Sequence, residues 1–141
     1  MNEDLMLSVL MDSYNQSSYI RDAINSVLAQ KVSFNYEIII GDDHSNDGTT
    51  EILQEYAAKY PQKIRLLINE KNYGFIYNWI NVFKHCKGKY IAILEGDDFW
   101  TDEYKLQKQV DFLETNPDYG LVCSDYDRLY IPSQKVIKNF C

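Results

Sequence analysis

The sequence predicts an α/β domain built on a mostly parallel sheet of about five strands with alternating helices. Short runs rich in Ile, Leu and Val recur at Met6 to Met11, Tyr36 to Ile40, Ile64 to Ile68, Tyr90 to Leu94 and Leu121 to Ser124, their starts 26 to 31 residues apart. The runs are continuous rather than alternating, the pattern of strands buried on both faces of a parallel sheet. Amphipathic helical stripes fill the intervals between them.

Each element follows in order. After the first strand, Ile20, Ala23, Ile24, Val27 and Leu28 fall on one helical face, with Ser17 or Ser18 available as cap. After the second, Ile52, Leu53, Tyr56, Ala57 and Tyr60 form a stripe that Pro61 stops, and Asp47-Gly48-Thr49 can cap its start. Ile76, Trp79, Ile80 and Phe83 make a third stripe ending near Gly88, and Leu106, Val110 and Leu113 a fourth ending before Pro117. The aromatic members of these stripes are read as core. Strand and helix alternating with short connections imply right-handed crossovers. No linker divides the chain, so residues 1–141 are expected to be one domain. The stretch after Asp125, with Arg128, Tyr130, Pro132, Lys135 and Cys141, has no clean pattern and reads as a domain cut short.

Composition narrows the function classes. Hydrophobic residues at 45% and charged residues at 25% are ordinary for a globular protein and exclude a disordered tail or a disulfide scaffold. A net charge of −7 repels a bare phosphate backbone, so nucleic acid is not expected as a partner, and an anionic ligand would need a divalent cation beside the acidic groups. Met1-Asn2-Glu3-Asp4 lacks the basic start of a signal peptide and no apolar run is long enough to span a membrane, so the expected location is cytoplasmic, any membrane association being carried by parts outside this chain. Cys86, Cys123 and Cys141 are widely spaced and odd in number, which suits inert thiols in a reducing compartment. His44 and His85 are too far apart in sequence to favour a zinc site with them.

In an open parallel sheet the ligand lies beyond the carboxyl ends of the strands. There the sequence is acidic and amidic: Asp12, Ser13, Tyr14 and Asn15 after the first run; Asp42 to Thr49 after the second; Asn69, Asn72 and Gly74 after the third; Glu95, Gly96, Asp97 and Asp98 after the fourth. Turns and caps account for such residues one loop at a time. They account less well for Glu95, Asp97 and Asp98, which would repel one another without a counter-ion. Carboxylate oxygens with diphosphate oxygens and water complete the octahedral shell of Mg2+ or Mn2+. Neither a G-x-G-x-x-G after the first strand nor a G-x-x-x-x-G-K-[ST] occurs, so the phosphates would be held by metal rather than by a glycine nest.

From about Leu5 to Tyr126 this arrangement resembles the nucleotide-sugar-binding part of a family 2 glycosyltransferase with the GT-A fold. The resemblance rests on Ser8 to Asn15, on Glu37 to Thr49 with its Gly41-Asp42-Asp43, on Asn69-Glu70-Lys71-Asn72-Tyr73-Gly74, and on Glu95-Gly96-Asp97-Asp98 at the family's Asp-x-Asp position. It implies that Asp43, with Asp42 beside it, accepts the uracil N–H, and that the backbone of Ser13, Tyr14 and Asn15 lines base and ribose. Asn72 and Gly74 belong to the family's Asn-x-Gly turn. Asp97 is the implied metal ligand, Glu95 takes the place of an aspartate facing the ribose or the donor sugar, and Asp98 orients that loop or the sugar. Asp12 stands where the family usually has proline, and Glu95 is one methylene longer than aspartate.

The implied activity is inverting transfer of a sugar from a nucleotide diphosphate sugar, UDP by expectation, to a sugar or lipid-linked acceptor hydroxyl in surface polysaccharide or glycan synthesis. The family's general base follows the fifth strand, where Asp125 and Asp127 are the weak candidates; an acceptor region is not recognisable, so this chain is expected to bind donor and transfer poorly. A catalytically silent sugar-nucleotide-binding module is the alternative from another class. A nucleotidyltransferase would want a glycine- and lysine-rich loop after the first strand, and Asp12 to Ser18 contains neither residue. A receiver-like signalling domain would place its acidic pair after the first strand rather than after the second and fourth.

Overall fold

The computed structural model describes residues 5–131 and 133–138; Met1 to Asp4, Pro132 and Cys141, which entered the sequence reading, lie outside them. The chain divides into two compact units, Met1–Gln107 and Lys108–Cys141.

The first unit is a parallel sheet of four strands in the order β3-β2-β1-β4, formed by β1 (Leu5–Ser13), β2 (Asn35–Asp42), β3 (Ile64–Ile68) and β4 (Tyr90–Ile93). Helices α1 (Ile20–Leu28), α2 (Thr49–Lys59) and α3 (Phe75–His85) supply the crossovers, and α4 (Lys105–Thr115) follows β4. The two central strands carry the core: Val9, Leu10 and Met11 of β1 and Ile38, Ile39 and Ile40 of β2 are all fully buried. This is the double burial that continuous apolar runs imply. On α1 Ile20, Ala23, Ile24 and Val27 of the predicted stripe are fully buried and Leu28 is half-buried. On α2 the buried side is Thr49, Leu53 and Tyr56.

The structure corrects three expectations. Neither Ser17 nor Ser18 caps α1: its N-cap is Tyr19, without a side-chain cap, and the first turn closes on the Gln16 carbonyl. The Ser17 amide turns away to Asp47 of the neighbouring loop. On α3 three of the four residues of the predicted stripe face outward, Ile76 at 72%, Ile80 at 42% and Phe83 at 46% exposure; Trp79 is half-buried against the core of Leu10, Ile39 and Val82, and Asn78 and Val82 are the buried pair. Gly41 is the reason. A β-carbon there would stand 2.3 Å from Val82 Cγ2 and 2.7 Å from Asn78 Oδ1, so its absence lets these two side chains press onto β2. The buried amide of Asn78 is satisfied by donating to the Gly41 carbonyl at 3.0 Å and accepting from Asn69 at 3.1 Å.

The third correction concerns Leu121 to Ser124, which is not a strand. Leu121 is 79% exposed, and a run this short needs a neighbouring ladder to become a strand. The second unit instead holds an antiparallel hairpin of β5 (Arg128–Tyr130) and β6 (Lys135–Ile137), so among the described residues the parallel sheet has four strands rather than about five. The thiol of Cys86 is pushed up to about 11 by burial, in keeping with an unreactive cysteine.

Candidate functional site

The chain leaves β1 on one side to build β2 and β3 and returns on the other side as β4. The strand order therefore reverses between β1 and β4, and such a switch point opens a crevice at the carboxyl ends of the strands. The two ends are fastened together here, since the Leu94 amide donates to the Leu10 carbonyl at 3.0 Å and the Gly96 amide to the Asp12 carbonyl at 3.1 Å. Beside this junction lies a cavity of about 360 Å³. Asp12, Ser13, Tyr14 and Gln16 line it from the end of β1, and Glu95 from the end of β4. Asp43 of the loop after β2, with Asn72 and Gly74 of the β3–α3 connection and Phe75 and Asn78 of α3, forms the other wall.

Asp43 is 2% exposed and holds that second wall in place. Its Oδ1 accepts from the Asn69 amide group at 2.8 Å and from the Tyr73 backbone N–H at 2.9 Å, and its Oδ2 accepts the Gly74 N–H at 2.7 Å. Gly74 takes φ of 91° at the start of α3, a conformation that favours glycine. Of the carboxylate's roughly four lone-pair positions three are thus used within the protein.

Asp42 is fully buried but does not line the cavity. Its Oδ1 accepts from the Ser45 hydroxyl at 2.5 Å and the Ser45 N–H at 3.2 Å, and its Oδ2 accepts from the Thr50 hydroxyl, so it shapes the loop after β2. Asn15 is likewise a brace: its N–H donates to Ser45 Oγ at 2.9 Å and its side-chain carbonyl accepts the Asn46 N–H at 2.9 Å. Two more bonds sew the same loops together, from the Gln16 N–H to Thr49 Oγ1 at 2.8 Å and from the Ser17 N–H to Asp47 Oδ2 at 3.0 Å.

Glu95, Asp97 and Asp98 place one carboxylate oxygen each within 4.8 Å of one another, and all three residues are exposed. The protein packed around them raises Glu95, and Asp97 and then Asp98 raise it further; Asp98 is raised by the same packing and by Asp97. An all-oxygen, anionic donor set open to water fits a hard divalent cation that keeps part of its hydration shell. Glu95 belongs both to this cluster and to the cavity wall. Across the cavity floor, burial and then the charge of Glu95 push Asp12 up to about 6.

The structure thus brings Ser13, Tyr14, Asp43, Asn72, Gly74 and Glu95 to one cavity, with Asp97 and Asp98 in the adjoining cluster, and turns Asp42 and Asn15 into loop supports. Asp125 and Asp127 are exposed residues of the second unit, between α4 and β5. Sequence reasoning missed Asp12, Gln16, Phe75 and Asn78 as lining residues, Asp12 reading only as a turn residue in the place of proline. Of the other three only Asn78 left a signal, as an amide inside an apolar helical stretch.

Comparison with known proteins identifies the family and the fold. The sequence profile of Glycosyl transferase family 2 matches residues 8–134. The uncharacterised protein Rv1520 of Mycobacterium tuberculosis is 45% identical over 112 residues, covering 79% of this chain and 32% of its own. EpsE of Bacillus subtilis, named as a glycosyltransferase, is 38% identical over 122 residues, 86% of this chain and 43% of its own. The chain therefore spans about a third to two-fifths of the length of these relatives. Among solved structures, the mannosyltransferase PcManGT of Pyrobaculum calidifontis with GDP-Man and Mn2+ superposes with a TM-score of 0.74 at 21% identity, over 85% of this chain and 35% of its own. TarS 1-349 of S. aureus with UDP-GlcNAc gives 0.70 at 24% identity, over 79% of this chain and 32% of its own. These two likenesses concern the fold, which is GT-A. Among the described residues no helix is long and apolar enough to cross a membrane. With most of its length matched by the profile, the chain belongs to glycosyltransferase family 2.

Proposed function

We propose that this chain is the donor side of an inverting glycosyltransferase that moves a sugar from a UDP-sugar to an acceptor hydroxyl in surface polysaccharide or glycan synthesis. The observation that carries the reading is the cavity at the β1/β4 switch point, whose Glu95 also belongs to the carboxylate cluster with Asp97 and Asp98. A nucleotide lies in the cavity with its uracil N–H directed at the remaining acceptor position of Asp43 and its ribose toward Ser13 and Glu95. The diphosphate emerges at the carboxylate cluster. Asp97 leads in holding Mn2+ or Mg2+ there, and that cation, when bound, offsets the charge that grows on the departing diphosphate. The occurrence of Mn2+ with GDP-Man in a protein of the same fold supports the metal, and UDP-GlcNAc in another supports the nucleotide class.

Asp42 and Asp47 keep the loop after β2 rigid, so the base meets a wall already formed and little ordering entropy is lost on binding. The acceptor hydroxyl must approach from outside the cavity and lose its proton to a general base. Asp125 and Asp127 are the candidates within this chain. Titration calorimetry of UDP in MnCl2 and in EDTA tests the reading: binding that requires the metal and is lost in Asp97→Ala supports it. Absence of UDP binding in both buffers overturns it.

A further inference from the structure

Asp12 occupies a position that no turn or cap explains. It is the penultimate residue of β1, half-buried and lining the cavity, and its Oδ1 is buried without a hydrogen-bond partner. The next residue repeats the pattern independently: Ser13 is 1% exposed, lines the same cavity, and its Oγ is also buried without a partner. A buried polar group left unsatisfied costs roughly 1–3 kcal/mol, more if charged, and three such atoms, Asp12 Oδ1, Ser13 Oγ and Gln16 Oε1, belong to residues that line this one cavity.

The chemistry of the walls says what that is. The lining residues include the carboxyl groups of Asp12, Asp43 and Glu95 and no lysine or arginine. A phosphate would be repelled from such a floor. Asp12 is also outside the cluster of mutually close carboxylates, which comprises Glu95, Asp97 and Asp98 among the described residues. The complementary ligand is uncharged and rich in O–H donors. Two acceptors on neighbouring strand ends, Asp12 and Glu95, with the Ser13 hydroxyl between them in function as donor or acceptor, match a pair of adjacent hydroxyls.

We propose that Asp12 is a donor-recognition residue, its carboxylate accepting a hydrogen bond from a vicinal diol of the nucleotide sugar with Glu95 as the second acceptor. The inference rests on the proposed function and deepens it by assigning to the end of β1 a side-chain contact with the donor. Both the ribose and the transferred sugar carry adjacent hydroxyls, and the test separates them.

The test is calorimetric titration, in MnCl2, of the parent chain, Asp12→Asn and Asp12→Ala with UDP, 2′-deoxy-UDP, 3′-deoxy-UDP and UDP-GlcNAc, each variant first checked for a cooperative thermal transition. A hydrogen bond to a charged group corresponds to about 10- to 100-fold in affinity. Asp12→Ala is therefore expected to bind UDP about 10- to 100-fold more weakly than the parent, with Asp12→Asn losing less. One of the deoxy nucleotides should bind parent and variant alike, because the hydroxyl that Asp12 reads is gone. A loss seen with UDP-GlcNAc and not with UDP keeps the diol contact and assigns it to the transferred sugar. Unchanged or tighter binding of all four ligands by the variants overturns the proposal, since removal of a negative charge near a diphosphate would then be its only effect. Weakened binding of Mn2+ alone by Asp12→Asn, with the deoxy pattern absent, also overturns it and makes Asp12 a cation ligand. If the parent itself binds no UDP, the proposed function falls and this inference with it, an outcome distinct from a parent that binds and variants that do not differ.

Discussion

The carboxylate of Asp43 accepts the backbone N–H of Gly74 at 2.7 Å, joining the end of β2 to the first residue before α3. One buried side chain thus sets where the wall of Asn72, Gly74 and Phe75 stands. Replacing it removes a partner from two backbone amides, those of Tyr73 and Gly74, and from the Asn69 side chain. Asp43→Ala is expected to destabilise the protein by about 1–3 kcal/mol and to weaken UDP binding as well. Urea unfolding and calorimetry on the same variant check both; full stability with weakened binding would show that the carboxylate serves the ligand alone.

Asp47 makes a contrasting case, because it supports a loop without lining the cavity. Burial alone would raise its carboxyl, but the bonds it accepts from Thr49 and Ser17 outweigh that and hold it at about 2. A carboxyl lowered by folding adds stability that is complete above its ordinary value of 3.8 and is lost as the pH falls through about 2. Asp47→Ala should lower stability at neutral pH by about 1 kcal/mol and flatten the acid limb of the stability curve between those values. Parallel chemical denaturation of parent and variant from pH 2 to 7 measures it, and identical acid limbs would count against the assignment.

The carboxylate cluster gives a prediction that needs no nucleotide. Glu95, Asp97 and Asp98 repel one another in the absence of a counter-ion. Millimolar MnCl2 should raise the thermal midpoint of the parent, EDTA should reverse the rise, and Asp97→Asn should blunt it. A midpoint indifferent to the cation would separate the cluster from metal binding.

The packing of α3 depends on the missing side chain of Gly41. Gly41→Ala is expected to cost about 1–3 kcal/mol through its contact with Val82 and Asn78. Combining it with Val82→Ala should cost less than the sum of the two single changes, because the second opens the space that the first fills. Additive losses in a double-mutant cycle would show that the helix yields rather than the side chain.

The four parallel strands and the loops after them were legible because burial on both faces writes itself as continuous apolar runs, and Ile38 to Ile40 is such a run, whereas the short β5/β6 hairpin carries no such pattern. Helix faces were less so. Ile76, Ile80 and Phe83 have helical spacing, yet the face that meets the sheet is chosen by Gly41, a residue of another element, and it selects Asn78 and Val82. Likewise the acids Asp42 and Asp43 are adjacent in sequence and serve different tasks, because Asp42 bonds within its own loop to Ser45 and Thr50 whereas Asp43 bonds across to Asn69, Tyr73 and Gly74. Asp12 could be read as the end of a strand, but its want of a partner appears only when β4 brings Glu95 alongside.

The four bonds that sew the loop after β1 to the loop after β2 reach beyond shape. Each engages a backbone amide, those of Asn15, Gln16, Ser17 and Asn46, and none belongs to a helix or sheet ladder. Amides in surface loops ordinarily trade their hydrogen for deuterium almost as fast as an unfolded chain. Hydrogen-bonded across two loops, these four amides are expected to exchange more slowly than the unbonded amides of the same surface segment, a pattern that native-state hydrogen exchange reads residue by residue.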